Sequence, residues 1–90
     1  MNEQAEPDAV FIGGGLTTDD VFETAWRALR SSGILVANTV TLEGEAVVIS
    51  LHKEYGGDLV RLDISHLTPV GRMHALEPRM SVLQWRVRKP

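Results

Sequence analysis

The chain contains no cysteine, which excludes a disulfide framework and any metal site built on thiolates. Aromatic residues make up only 6% of it, too few to lay out a platform for stacking nucleic-acid bases. No apolar run approaches the roughly 20 residues that a membrane helix needs. The start, Met1 to Pro7, is acidic and polar and does not read as a secretory signal, so a cytoplasmic protein is expected. What remains is ninety residues of globular composition, 43% hydrophobic and 23% charged: one small domain or a piece of a larger one. The net charge of −3 hides an asymmetry. Acids dominate the first thirty residues, whereas from Arg72 onward Arg72, Arg79, Arg86, Arg88 and Lys89 face Glu77 alone. That local positive field suits an acidic ligand and is too small to argue for nucleic acid.

Residues 1–8 read as a flexible leader. Ala9-Val10-Phe11-Ile12 is then an unbroken apolar run closed by Gly13-Gly14-Gly15, the habit of a parallel strand buried on both faces. Thr17-Thr18-Asp19-Asp20 reads as a helix start with Thr17 as cap, and Val21, Phe22, Ala25, Trp26 and Leu29 form a stripe at helical spacing. Gly33 offers the left-handed stop. Ile34-Leu35-Val36-Ala37 is a second buried strand, leaving at Asn38-Thr39. Thr41 to Tyr55 carries β-branched Val47, Val48 and Ile49. Leu42, Ala46 and Ile49 nevertheless recur at helical spacing, with acids in front and His52 and Lys53 behind, which favours a helix ended by Gly56-Gly57. Val60, Leu62 and Ile64 alternate with polar residues as a half-buried strand. Thr68 to Met80, with Pro69, Gly71 and Pro78, reads as a loop, and Val82 to Val87 as a last strand.

The expected order is β-α-β-α-β-β: a parallel α/β sheet finished by an antiparallel pair. Right-handed crossovers that step outward from the first strand place both helices on one face. The other face and the open edge of the first strand then lack cover, and large bare apolar areas are rare on stable monomers. A second copy or the rest of a larger fold is expected there, so a homo-oligomer through the uncovered face or edge is one expectation.

The chemistry-bearing residues are few. Gly13-Gly14-Gly15 between strand and helix could receive a phosphate. A dinucleotide fingerprint, however, needs a third glycine where Thr18 stands, and an acid where Asn38 ends the next strand. A permissive loop that lets another group approach the backbone is the better reading. His52, His66 and His74 lie on different elements, so no metal is expected. No serine has an evident base. Arg72 and Arg79, beside glycine and proline, are either solvated loop residues or clamps for carboxylates.

The stretch from Asp8 to Gly15, the run from Ile34 to Glu43 and the Gly71-Arg72 pair resemble, in order along the chain, the C-terminal half of a methyltransferase domain. It is the domain of the decarboxylating precorrin-6Y C5,15-methyltransferases of cobalamin biosynthesis. The resemblance implies a Rossmann-like class I fold dependent on S-adenosylmethionine. Residues 9–90 would be a partial domain with the equivalents of strands four to seven, in the order 4-5-7-6. It implies a fragment, inactive alone, of an enzyme that methylates a tetrapyrrole carbon and decarboxylates an acetate side chain. Gly13, Gly14 and Gly15 would lie at the cofactor, and Asn38, Thr39, Arg72 and Arg79 at the substrate. The glycine loop after the family's first strand and the acid after its second, which hold the cofactor, are absent from this sequence, so its binding here is in doubt. The competing readings are a non-catalytic module that dimerises through its sheet, and half of a methyltransferase acting on RNA or protein.

Overall fold

A computed structural model describes residues 6–18 and 20–90; Met1 to Ala5 of the expected leader, and Asp19 of the expected helix start, lie outside the described residues. The elements run β1 (Ala9–Ile12), α1 (Val21–Ala28), β2 (Ile34–Thr39), α2 (Leu42–Tyr55), β3 (Asp58–Leu62), β4 (Ser65–Val70), β5 (Met73–Pro78) and β6 (Val82–Arg88). Four of the strands form one sheet in the order β1-β2-β6-β3. This is the order 4-5-7-6. β1 and β2 are parallel, and β6 runs antiparallel between β2 and β3.

Because β6 opposes both its neighbours, β3 is parallel to β2, and the two crossovers step in the same direction. Both helices therefore pack on one face. There Leu35, Ala37, Leu83, Trp85 and Val87 from the sheet meet Phe22, Leu29 and Val48, all buried. Trp85 is the centrepiece: it is fully buried, its ring lies 5.7 Å from that of Phe22, and its indole N–H donates to the Gly56 carbonyl at 2.8 Å. Gly57, at φ 96°, crosses so close to Trp85 Nε1 and the Arg86 carbonyl that a Cβ there would lie 2.9 and 2.5 Å from them.

The opposite face carries Phe11, Ile34, Val36, Val60, Leu62 and Val82, interspersed with Asn38, Gln84, Arg86 and Arg88. No second layer among the described residues packs on it, and Phe11 is 63% exposed. β1 is thus buried on one face only, not on both. β3 likewise turns Val60 and Leu62 to the open face, and Ile64 beyond its end is exposed too. Arg61 points the other way, donating to both Glu45 carboxylate oxygens of α2 at 3.1–3.2 Å.

Three local expectations change. The α1 cap is Asp20, at φ 68° and without a side-chain bond, because buried Leu16 first draws the chain into a turn closed by Thr18 N–H on the Gly15 carbonyl. At its far end Leu29 leaves the helix extended and enters the core; Ser32 takes the left-handed turn, and Gly33 makes room for Leu29. The Lys89 ammonium donates to the Trp26 and Leu29 carbonyls, satisfying the helix terminus. α2 is a helix as expected, capped by Thr41 Oγ1 accepting from Gly44 N–H at 3.0 Å and ended by Gly56 at φ 78°. Its buried side, however, is Gly44 and Val48 flanked by Val47 and Leu51, while Leu42 and Ile49 face outward.

The stretch Thr68 to Met80 is not a loop. β4 and β5 form an antiparallel hairpin, with Val70 opposite Met73 across the Gly71-Arg72 turn. Gly71 at φ 61° followed by a residue with ordinary φ is the type II′ pattern. Apart from Thr68 the hairpin is exposed along its length, and the molecule spans 61 × 30 × 22 Å.

Candidate functional site

β1 and β2 both end at the same, carboxyl, edge of the sheet, the side on which ligands collect in open α/β folds. After Ile12 the chain needs a backbone that turns without a Cβ, which Gly13-Gly14-Gly15 supplies. Gly15 lies at φ 110°, and added Cβ atoms on Gly14 and Gly15 would meet nothing within 4 Å. The loop is therefore open towards solvent rather than packed shut. After Thr39 the chain turns at once into α2. Thr39 is buried, and its Oγ1 accepts a long 3.4 Å bond from Thr41 N–H. Gly44 allows the first turn of α2 to lie directly against it, since a Cβ there would overlap Thr39 Oγ1.

These segments enclose a cavity of about 160 Å³ lined by Gly13, Gly14, Gly15, Leu16, Thr17, Thr39, Val40, Thr41 and Gly44. Its polar groups are threonine hydroxyls and backbone, including the N-terminal turn of α2, and among the described residues no carboxylate or base lines it. Asn38 precedes Thr39 and so points to the other, open face. Its Oδ1 is shielded from solvent and has no hydrogen-bond partner among the described residues. An acceptor in that state normally awaits a donor.

Of the residues singled out from sequence, the fold brings together Gly13, Gly14, Gly15 and Thr39 in one cavity, with Asn38 beside them. Arg72 and Arg79 are elsewhere. Arg79 follows β5 at the hairpin base, its N–H donating to the Ile64 carbonyl at 2.8 Å, and Arg72 occupies the turn. The hairpin leaves the sheet at the same carboxyl edge, because Leu62 and Val82 pair one residue beyond Thr39 and Leu83. Six residues of strand nevertheless carry its turn about 20 Å outward. Sequence reasoning missed Leu16, Thr17, Val40, Thr41 and Gly44. The signal for two of them was present: Thr41 three residues before Gly44 is a cap over a close helix-strand contact.

A family model for a precorrin methyltransferase domain matches residues 1–89. The chain belongs to the precorrin methyltransferase domain family. It is 50% identical over 80 residues to a precorrin-6Y C(5,15)-methyltransferase [decarboxylating] of Sinorhizobium sp, an alignment covering 89% of this chain and 19% of that protein. It superimposes on the C-terminal domain of precorrin-6Y C5,15-methyltransferase from Rhodobacter capsulatus with TM-score 0.80 at 38% identity, covering 97% of this chain and 47% of that one. A SAM-dependent O-methyltransferase from Thermotoga maritima shares the Rossmann-like fold at TM-score 0.59 and 15% identity. The family member described here thus spans about a fifth of the curated relative's length and about half of the solved domain.

Proposed function

We propose that this chain supplies the strand-four-to-seven half of a methyltransferase domain that transfers methyl from S-adenosylmethionine to a carbon of a precorrin, in a decarboxylating enzyme of cobalamin biosynthesis. The observation that supports this reading most is the coincidence of family membership with a glycine-lined opening at the carboxyl edge of β1 and β2. Residues 9–90 would be the partial domain. The other half, on the same or a separate polypeptide, would cover the open face and pair with the β1 edge.

The residues present do not fit the whole cofactor. The cavity is about half the lower bound of roughly 300 Å³ for a small-molecule site, and no acid among the described residues lines it to grip a ribose. This half's own part is therefore positional: Gly13, Gly14 and Gly15 leave room for the donor end, Thr39 walls the cavity, and Asn38, on the other face of the same strand end, contacts the acceptor. Alignment of reactants and exclusion of water are large terms in such transfers. Arg72 and Arg79 are proposed clamps for the acetate and propionate carboxylates of the macrocycle.

Two measurements test this. Calorimetric titration of the ninety-residue chain with S-adenosylmethionine should show no micromolar binding; tight binding would overturn the claim that the cofactor site is incomplete. Grafting this chain onto the Sinorhizobium relative in place of its matching segment should retain methylation of the precorrin. In that chimera Asn38→Ala and Arg72→Ala should each raise KM for the tetrapyrrole, and an unchanged KM removes the corresponding role.

A further inference from the structure

Thr39, Leu83 and Arg61 stand level in one row across β2, β6 and β3, on the face that carries the helices. The first turn of α2 lies over this row. Gly44 meets Thr39 at one end, where a Cβ would overlap the hydroxyl, and Glu45, the next residue, meets Arg61 at the other. Consecutive residues of one helical turn thus touch two strands about 9–10 Å apart, with buried Leu83 between them. Val48, the next buried residue of α2, lies a full turn further on.

The two contacts differ in kind. Gly44 permits the close approach, but a missing side chain does not draw the helix down. Arg61 supplies the attraction. Its Nη2 donates to Glu45 Oε1 at 3.1 Å and its Nη1 to Oε2 at 3.2 Å, a fork that fixes angle as well as distance. Nη1 also donates to Ser81 Oγ at 3.0 Å, so the guanidinium is itself held at the start of β6. A fully exposed ion pair contributes little to stability. Here the Glu45 side chain is only 18% exposed, against 46% for Arg61. Stripped of its partner, a carboxylate so shielded turns to water, and the pull that seats Gly44 on Thr39 is lost.

We infer that Arg61 is a positioning residue of the site: through Glu45 it seats the first turn of α2 on Thr39 and so sets the depth of the cavity at the carboxyl edge. Thr39, Thr41 and Gly44 line that cavity and Arg61 does not, so it acts through them. A lysine in its place keeps the charge but not the fork. The seating stands on geometry alone; its consequence for methyl transfer rests on the function proposed above.

Amide exchange in the ninety-residue chain reads the seating. The N–H groups of Gly44 and Glu45 donate to Thr41 Oγ1 and to the Thr41 carbonyl at 3.0 and 2.9 Å. Arg61→Ala should speed exchange at both by about tenfold or more, while Leu35 and Trp85 in the β2–β6 ladder keep their rates. Arg61→Lys should fall between. Arg61→Ala combined with Glu45→Ala should exchange more slowly at Gly44 than Arg61→Ala alone, because the stranded carboxylate is gone. In the chimera with the Sinorhizobium relative, Arg61→Ala should lower kcat by about tenfold or more, leave KM for S-adenosylmethionine within about twofold, and be partly rescued by Arg61→Lys. Exchange unchanged at Gly44 and Glu45, or raised equally at Leu35 and Trp85, overturns the seating. Seating lost with kcat unchanged overturns the positioning role. A chimera that fails to methylate before any substitution refutes the methyltransferase reading instead, and the exchange rates still decide the seating.

Discussion

Gly44→Ala is the sharpest probe of how the site is built. In an exposed helix this change stabilises by about 1 kcal/mol, through backbone entropy and propensity. Here the added methyl would overlap Thr39 Oγ1 and lie 2.8 Å from Thr39 Cβ and 3.0 Å from Thr41 Oγ1. Rotating the threonine moves its hydroxyl but not its Cβ, which is fixed by a strand paired on both sides, so the N-terminal turn of α2 must move away. Overpacking of this kind costs about 1–3 kcal/mol or more, which exceeds the propensity gain. The expected outcome is a net loss of about 1–2 kcal/mol, and a Tm lower by roughly 5–15 °C for a domain of this size. Urea and thermal melts followed by the fluorescence of Trp26 and Trp85 measure it. Thr39→Ala removes the overlapping hydroxyl, so the double variant should lose at least about 1 kcal/mol less than the two single losses together. A Gly44→Ala protein as stable as the parent, or more so, would show that α2 does not press on Thr39 and that the cavity is not shaped by that contact.

Trp85→Phe removes the bond to the Gly56 carbonyl and leaves a void in a fully buried position, at a cost of about 2–4 kcal/mol by urea melt. Lys89→Met strips both acceptor contacts from the end of α1; a loss of about 1–2 kcal/mol is expected, with faster amide exchange confined to the last turn of that helix. Tyr55, the single tyrosine, lies against Phe22 and Trp26, and its pKa is raised above 10.0 by burial and then by Glu54 and Glu23. Its contribution to stability is complete below the unfolded value and is lost as pH rises through the folded one. A spectrophotometric titration of the folded chain should accordingly have its phenolate midpoint above 10.0, and a midpoint at or below that value refutes the assignment.

The sheet was legible because its first two strands are short apolar runs punctuated by glycine: Ala9 to Ile12 before Gly13, and Ile34 to Ala37 after Gly33. The hairpin was not, and the reason lies in its prolines. Pro69 and Pro78 read as breakers, yet both fall at outward ladder positions, where a strand needs no N–H. Sequence shows that a donor is missing but not which edge it is missing from. The buried side of α2 was misread for a related reason. Gly44 does not register as apolar, although its lack of a side chain is what lets the helix lie on β2, so Leu42 and Ile49 were taken for the stripe that Gly44 and Val48 provide. Half of the candidate site followed from strand ends alone. The placement of Arg72 far out on an arm depends on the hairpin, and could not be seen without it.

The open face of the main sheet remains unpartnered among the described residues, and its chemistry constrains what can cover it. The open face of the main sheet mixes Phe11, Val36 and Val60 with Arg86 and Arg88, against which only Asp58 stands in the same strands. Packing this face on its own copy about a twofold axis would bring like charges together, which is unfavourable. A different polypeptide segment, able to offer acceptors to the arginines, suits it better. Phe11→Ser should therefore leave any self-association of the chain unchanged in sedimentation, and a weakening would assign self-association to the open face.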